Sequence, residues 1–272
     1  MTTNEFRFTY QTGDKFHLLN LADLHSGHSD FSVKNLTNDL DKYVDDRTII
    51  WGNGDWFDSI TTKDKRYSKQ GDNAKTTAII NDAIDGLYPI FHKYRKRVIG
   101  LGLGNHEMTY IDHCNADPVR FMCNMLSDDD HKVQQFGYSA YIRFRFTHVS
   151  GGNVKTFTVY QHHGHGTGGT TDGHSTTKYG KKKGDYDADL YYFGHDHKRD
   201  FTELAPIIRL SGDLKLKESR RFMVFPGSYL KTLNDEIYPN YAEVKSLPPI
   251  AIGTKLIELE LLHATWELRD VS

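Results

Sequence analysis

The chain alternates apolar runs with polar, glycine-bearing breaks, and the period of the apolar residues sorts the runs into strands and helices. Lys15 to Ala22 reads as a strand entering Asp23-Leu24-His25-Ser26-Gly27. From Phe31 to Val44 the apolar residues fall at 33, 36, 40 and 44, which is helical spacing. Thr48-Ile49-Ile50-Trp51 is a β-branched and aromatic run, read as a buried strand, and it ends in Gly52-Asn53-Gly54-Asp55-Trp56-Phe57-Asp58. Asn73 to Tyr94 predicts a long helix carrying Ala78, Ile79, Ala83, Ile84, Leu87 and Phe91. Pro89 predicts a break or kink near its end, and Arg95-Lys96-Arg97 closes it where cations suit the helix dipole. Val98 to Leu103 predicts a third strand, which delivers Gly104-Asn105-His106-Glu107.

The second half continues in the same way. Ala116 to Leu126 reads as a helix with Pro118 in its first turn. Tyr138 to Phe146 alternates with period 2, and Val154 to Gln161 is expected as its antiparallel neighbour across Ser150-Gly151-Gly152-Asn153. That second strand runs into His162-His163-Gly164-His165-Gly166. Thr167 to Asp187 is polar, rich in Gly, Thr and Lys, and long enough to predict a mobile or functional loop. Ala188 to Phe193 predicts a strand that delivers Gly194-His195-Asp196-His197. Arg221 to Phe225 predicts another, ending in Pro226-Gly227-Ser228, and Lys255 to Leu262 a late one. No repeat, low-complexity tract or linker interrupts the series, so one domain over residues 1–272 is expected.

Composition narrows the class. With 272 residues, 38% hydrophobic and 26% charged, the chain reads as a globular protein with one large core. A net charge of −2 gives no global basic field for nucleic acid, although a local patch or bound cations can supply one. Lys63 to Lys69 is polar and partly basic, and reads as a solvated surface loop, with a phosphate-contacting loop as the alternative. Cys114 and Cys123 lie in one apolar-patterned segment and read as buried helix thiols, which favours a reducing cytoplasm. Met1 to Glu5 has neither a basic nor an apolar leader region, so no signal peptide is expected. No run approaches the ~18 apolar residues of a membrane span, so no membrane partner is expected.

The 15 histidines change the picture, because they cluster where strands end. Five strand ends deliver Asp23/His25, Asp55, Asn105/His106, His163 and His195/His197. Glycines let the backbone turn at these ends, and open α/β sheets place ligands there. On an extended strand end, residues i and i+2 point the same way, so Asp23 and His25 can reach one ion together. His195 and His197 share that logic, with each pair serving one ion or divided between two. Carboxylates, imidazoles and an amide are hard-to-borderline ligands suited to Mn²⁺, Fe or Zn²⁺. Seven ligands exceed one tetrahedral ion and suit two ions if a carboxylate bridges them.

The ordered set Asp-x-His, Gly-Asp-x-x-Asp, Gly-Asn-His-Glu, His-Gly and Gly-His-x-His resembles the calcineurin-like metallophosphoesterase superfamily, with a family-like Pro-Gly-Ser at 226 to 228. The resemblance implies a four-layer αββα sandwich of two mixed β-sheets flanked by helices. It implies two divalent metal ions, Mn²⁺ first and Fe, Zn²⁺ or Mg²⁺ as alternatives. Asp23, His25, Asp55 and His197 would hold one ion; Asp55, Asn105, His163 and His195 would hold the other. The family's His-Gly pattern selects His163, whereas strand alternation alone leaves His162 and His165 open. His106 would be the acid beside the metals, oriented by Asp58. Two ions ~3.5–4 Å apart share a water, make hydroxide available and bind phosphate oxygens, while His106 protonates the leaving oxygen.

Departures from the family narrow the substrate. Protein Ser/Thr phosphatases of this superfamily carry arginines where this chain has Ser59 and Leu103, which argues against that activity. The layout is closer to the phosphodiesterase and DNA-repair-exonuclease branches, and the Gly/Thr/Lys-rich segment resembles virus- and phage-encoded members. The expected activity is phosphodiester hydrolysis, with a nuclease acting on DNA as one form of it. A phosphomonoesterase or small-nucleotide hydrolase is the alternative, and a non-catalytic scaffold of the same fold the third reading. Lys178 and Lys181-Lys182-Lys183 either line a basic groove for nucleic acid or form a solvated loop.

Overall fold

A computed structural model describes the chain except residues 68–74, 167–170, 172, 211, 234–240 and 245–247. The short apolar runs pair into two mixed six-stranded sheets. In the first, β2 (Asp14–Leu21), β3 (Thr48–Asn53) and β4 (Val98–Gly102) run parallel, with β5 (Gln134–Gln135) parallel at one edge. β11 (Leu256–Leu261) and β12 (Trp266–Asp270) complete the other edge in antiparallel register, Leu256 facing Leu19. Every residue of β3 is buried, as expected of a parallel strand covered on both faces. The second sheet has the order β1 (Thr2–Tyr10), β6 (Ser139–His148), β7 (Val154–His162), β8 (Leu190–Phe193), β10 (Leu216–Pro226), β9 (Arg199–Leu210). β6 and β7 are antiparallel as their pattern predicts, and β8 lies parallel to both β7 and β10.

Three apolar layers hold these sheets. Between them pack Leu18, Trp51 and Ile99 from the first sheet and Phe144, Phe157, Tyr192 and Val224 from the second. Each such side chain contributes roughly 1.5–3 kcal/mol when fully buried. The outer face of the first sheet, Leu19, Leu21, Ile50 and Leu101, is covered by α1 (Val33–Tyr43), α2 (Ile79–Lys93) and α4 (Pro118–Leu126). Tyr160, Tyr191, Phe193 and Met223 pack outward from the second sheet against Tyr179 of α5 (His174–Gly180). The layer order is therefore αββα.

Several expectations are corrected. The long helix begins at Ile79 and runs through Pro89 to Lys93. Pro89 and Asp85 both lie on the exposed face, so the carbonyl that the ring leaves unpaired meets solvent while Ala83, Leu87 and Phe91 stay buried. Residues 73 and 74 of the expected helix lie outside the described residues. Cys114 is exposed at the end of α3 (Asn105–Cys114), and only Cys123, in α4, is buried, where burial pushes its thiol up to about 12. In the described part of Thr167 to Asp187, expected as a mobile or functional loop, α5 and a short α6 (Lys182–Asp185) form. The strands β1, β9 and β12 and the helix α3 add to the elements read from the pattern. Among the described residues no helix is long and apolar enough to cross a membrane.

Candidate metal centre

The C-terminal ends of β2, β3, β4, β7 and β8 meet where the two sheets abut. Two buried amides tie the sheets together there, Gln161 Nε2 donating to the Gly52 carbonyl and Asn53 Nδ2 to the His162 carbonyl, each at 3.2 Å. Five of the predicted ligands have left-handed backbones: Asp23 (φ 54°), His25 (φ 50°), Asp55 (φ 52°), His195 (φ 70°) and His197 (φ 54°). The i, i+2 pairs thus converge through left-handed turns and not, as expected, through the alternation of an extended strand. Each such residue costs about 1–2 kcal/mol, and strain of this kind gathers at functional sites. Asp and His are among the residues that adopt this conformation most readily.

Two groups of donors result. Asp23, His25 and His197 form one, and Asp55, His163 and His195 the other, the donor atoms of each lying within 4.8 Å of one another. His25 Nε2 is 3.3 Å from His197 Nε2, which is 3.6 Å from Asp23 Oδ1. In the second group His163 Nε2 is 3.2 Å from Asp55 Oδ2 and 3.1 Å from Asn105 Oδ1, and His195 Nδ1 is 2.8 Å from the same Asn105 oxygen. Donors bound at ~2.0–2.2 Å around one ion sit about 3.0–3.5 Å apart, so the set fits divalent cations. Asp55 Oδ2 also lies 3.8 Å from His25 Nε2, which places this carboxylate between the groups.

The other ring nitrogens are fixed by the protein. His163 Nδ1 lies 2.7 Å from the Asn53 carbonyl and His195 Nε2 2.6 Å from that of Gly166, so donation there leaves the opposite nitrogen to face the cluster. His163 is fully buried, whereas His165 is exposed and His162 Nδ1 accepts from the Gly164 N–H. Only His163 of the three joins a ligand group.

Burial lowers the pKa of His25, His195 and His197, holding them as the neutral imidazoles that bind metal. Burial alone would raise Asp55, but His163, His106 and His25 outweigh it and hold Asp55 well below the usual carboxylate range. Burial likewise works against the His163 imidazolium, yet Asp55 and Asp23 push it up to about 10. A proton on His163 thus does, in part, the work that a cation would do. Asp23 is raised well above its ordinary value by burial.

His106 starts α3 and forms a further group with His25 and Asp55. Its Nδ1 meets the main-chain carbonyl of Asp58, while the Asp58 carboxylate stands 3.6 Å from that nitrogen and 3.7 Å from His25 Nδ1. His106 Nδ1 is thus nearer Asp58's carbonyl than its carboxylate, which stands near two histidines. Burial raises the Asp58 carboxyl, but His25 and His106 bring it down to about 2.

Residues without an assigned role in the sequence hold the loops. Glu107 is fully buried and accepts N–H groups from Gly104 (2.8 Å), Asp55 (3.0 Å) and Phe57 (3.0 Å), lacing the β3 and β4 loops together. Burial and then Asp55 push it up to about 7. Its place after Asn-His was the available signal. Ser228 Oγ donates to the Asp23 carbonyl at 2.8 Å, giving Pro-Gly-Ser its physical task. Asp196 accepts from Ser175 Oγ (2.7 Å) and Lys178 Nζ (3.1 Å), docking α5 beside the site. Lys178 is therefore an internal partner of the Gly-His-x-His loop. Lys182 pairs with Asp185 and Lys183 donates to the Ala205 carbonyl. The Lys63 to Lys69 stretch is not wholly solvated: Arg66 reaches His106, while Lys69 lies outside the described residues.

No protein-family model and no curated protein matches the chain. Among solved structures, a conserved, uncharacterized predicted phosphoesterase of Streptococcus pneumoniae is 12% identical, covering 94% of this chain and 98% of its own, with a TM-score of 0.33. GAP50, the anchor in the inner membrane complex of Plasmodium, is 13% identical over 95% and 84%, with a TM-score of 0.49. Zinc-complexed Vps29 of Entamoeba histolytica is 13% identical over 94% and 98%, with a TM-score of 0.38. This chain's αββα sandwich and the loops that carry the donors are the arrangement that the resemblance to the calcineurin-like metallophosphoesterases implies.

Proposed function

We propose that the chain is a dinuclear metal-dependent phosphoesterase that cleaves phosphodiester bonds, with DNA and nucleotides among its candidate substrates. The observation that carries this reading is Asp55, a buried carboxylate lying between two groups of neutral or cation-seeking donors. Asp23, His25, Asp55 and His197 would hold one ion, and Asp55, Asn105, His163 and His195 the other, with Mn²⁺ the first choice. Such ions, when bound, supply a water of lowered pKa and positive charge for phosphate oxygens.

The chain's own residues do the rest. Asp23 and Asp55 offset part of the added charge, and Glu107 and Ser228 keep their loops in place. His106 fixes Nδ1 on the Asp58 carbonyl and turns Nε2 outward. In this structure that Nε2 accepts an N–H from Arg66; once Arg66 withdraws, a proton taken up there would be placed for the leaving oxygen, a contribution of about 10²–10⁴ in rate. Arg66 beside His106 favours a second reading, a phosphomonoesterase, because it restores an arginine to a site whose family positions hold Ser59 and Leu103.

The test is a chain stripped of metal and reloaded with Mn²⁺, assayed on bis-p-nitrophenyl phosphate, p-nitrophenyl phosphate, cyclic nucleotides, and single- and double-stranded DNA. The expected result is two bound ions and faster turnover of the diester than of the monoester. The reverse preference selects the monoesterase. Two bound ions with no turnover of any substrate refute the enzyme and leave a scaffold.

A further inference from the structure

Arg66 comes from a stretch whose sequence reads as ordinary surface, yet its guanidinium is held in place by a buried carboxylate. Its Nε donates to Asp64 Oδ1 at 3.0 Å and its Nη2 to Asp64 Oδ2 at 2.7 Å, a side-on fork. Asp64 also accepts the Arg66 backbone N–H at 2.8 Å and is itself only 8% exposed, so the anchor is rigid. The third contact is from Nη1 to His106 Nε2, the edge of the imidazole that faces away from Asp58. The His106 ring lies 4.5 Å, centroid to centroid, from that of His25. The fork therefore ends within reach of the ligand cluster.

A guanidinium has five N–H donors. Asp64 and His106 occupy three, and among the described residues the other two, one on each Nη, have no partner. Two lysines beside the Gly-His-x-His loop already pair with carboxylates, Lys178 with Asp196 of that loop and Lys198 with Asp200. A planar cation pre-oriented by a buried carboxylate, with one further donor on each Nη, suits the oxygens of a tetrahedral phosphate.

We propose that Arg66, oriented by Asp64, binds the phosphoryl group of the substrate at this cluster. Arg66 leaves or shares His106 Nε2 when a phosphate arrives, so one side chain both recognises the anion and uncovers the imidazole. This inference takes its substrate class from the phosphoesterase reading but is tested apart from catalysis.

Inorganic phosphate is titrated calorimetrically into the Mn²⁺-loaded chain, into Arg66→Ala and into Arg66→Lys, with metal content and thermal midpoint recorded for each. Charge-assisted hydrogen bonds of this kind predict a phosphate Kd about 10- to 100-fold weaker in Arg66→Ala. Arg66→Lys, which keeps the charge and loses the fork, falls between. On p-nitrophenyl phosphate the Ala variant raises KM more than it lowers kcat. An unchanged phosphate Kd in either variant that keeps its fold and metal overturns the assignment, and so does a metal-loaded wild type that binds no phosphate. Should Arg66→Ala fail to fold, Arg66→Lys decides alone. Arg66-dependent phosphate binding in a chain that hydrolyses nothing refutes the enzyme and leaves Arg66 as a phosphate-binding residue.

Discussion

Gly104→Ala is the sharpest test of the bridging carboxylate, because the substitution adds one methyl group and nothing else. Gly104 precedes α3 with φ −114° and ψ −175°, a backbone that alanine adopts freely, so no conformational penalty clouds the result. The added Cβ would lie 2.1 Å from Asp55 Oδ1 and 2.4 Å from the Asp55 nitrogen. Ordinary contact begins at 3.4 Å, so the oxygen must retreat by 3.4 − 2.1 = 1.3 Å and the nitrogen by 3.4 − 2.4 = 1.0 Å. Metal sites tolerate errors of about 0.2 Å in ligand position. The shift also breaks the bonds from His106 N to Asp55 Oδ1 (2.9 Å) and from Asp55 N to Glu107 Oε2 (3.0 Å). Overpacking costs about 1–3 kcal/mol and each lost hydrogen bond about 1 kcal/mol, for a total of about 3–5 kcal/mol. Urea unfolding of the metal-free protein measures the stability, and elemental analysis after Mn²⁺ reloading counts the ions. On the proposed sharing of Asp55, both ions should be lost. Gly180→Ala in α5, where a Cβ meets nothing within 4 Å, is the control and should change stability by less than about 1 kcal/mol. Wild-type stability with two ions retained in Gly104→Ala would refute the placement of Asp55.

Asp55→Asn should empty both metal positions while Asp23→Asn spares the second; two ions per chain in Asp55→Asn, by elemental analysis, would remove the bridge. His106→Ala should keep its metal yet lose about 10²–10⁴ in turnover, with a smaller loss on p-nitrophenyl esters, whose leaving group needs little protonation. Loss of an ion in that variant would instead make His106 a ligand, in keeping with its grouping with His25 and Asp55. The His163–Asp55 pair sets a pH dependence. His163 rises from an ordinary 6.5 to about 10 in the folded chain, so the pair stabilises the metal-free fold fully below pH 6.5 and ceases to do so as pH rises through 10. Metal uptake has the opposite sign, because an ion must displace that proton. Mn²⁺ affinity should rise by about tenfold per pH unit between pH 7 and 9 with proton release on binding, and a flat calorimetric profile would contradict this.

The loops that carry Asp23, His25, Asp55, Asn105, His163, His195 and His197 were legible in the sequence because each follows a local signal. A short β-branched or aromatic run ends at a polar group, and a buried parallel strand leaves its C-terminal end at the sheet's edge. β1 was not read: Phe6, Phe8 and Tyr10 alternate with Glu5, Arg7 and Thr9, but three apolar residues among polar neighbours make only a faint edge-strand pattern. Nor was the turn geometry at the ligands: five left-handed residues replace the extended ends that period 2 suggests.

What only the tertiary structure decided are contacts between residues far apart in the chain. His163 Nδ1 bonds a carbonyl 110 positions away, and that bond selects it over His162 and His165. Asp23 accepts the His195 N–H across 172 positions. Arg66 finds His106 across 40, and Glu107 finds Asp55 across 52. Hydrophobic period reports which face of an element is buried, and it is blind to which other element lies against that face. Sheet packing brings these partners together, and in the low-dielectric interior that it creates, burial and neighbouring charge outweigh each group's ordinary chemistry. That is why the sequence shows the donors in order, while the place of Asp55 between His25 and His163, the lock of Lys178 on Asp196 and the reach of Arg66 belong to the fold.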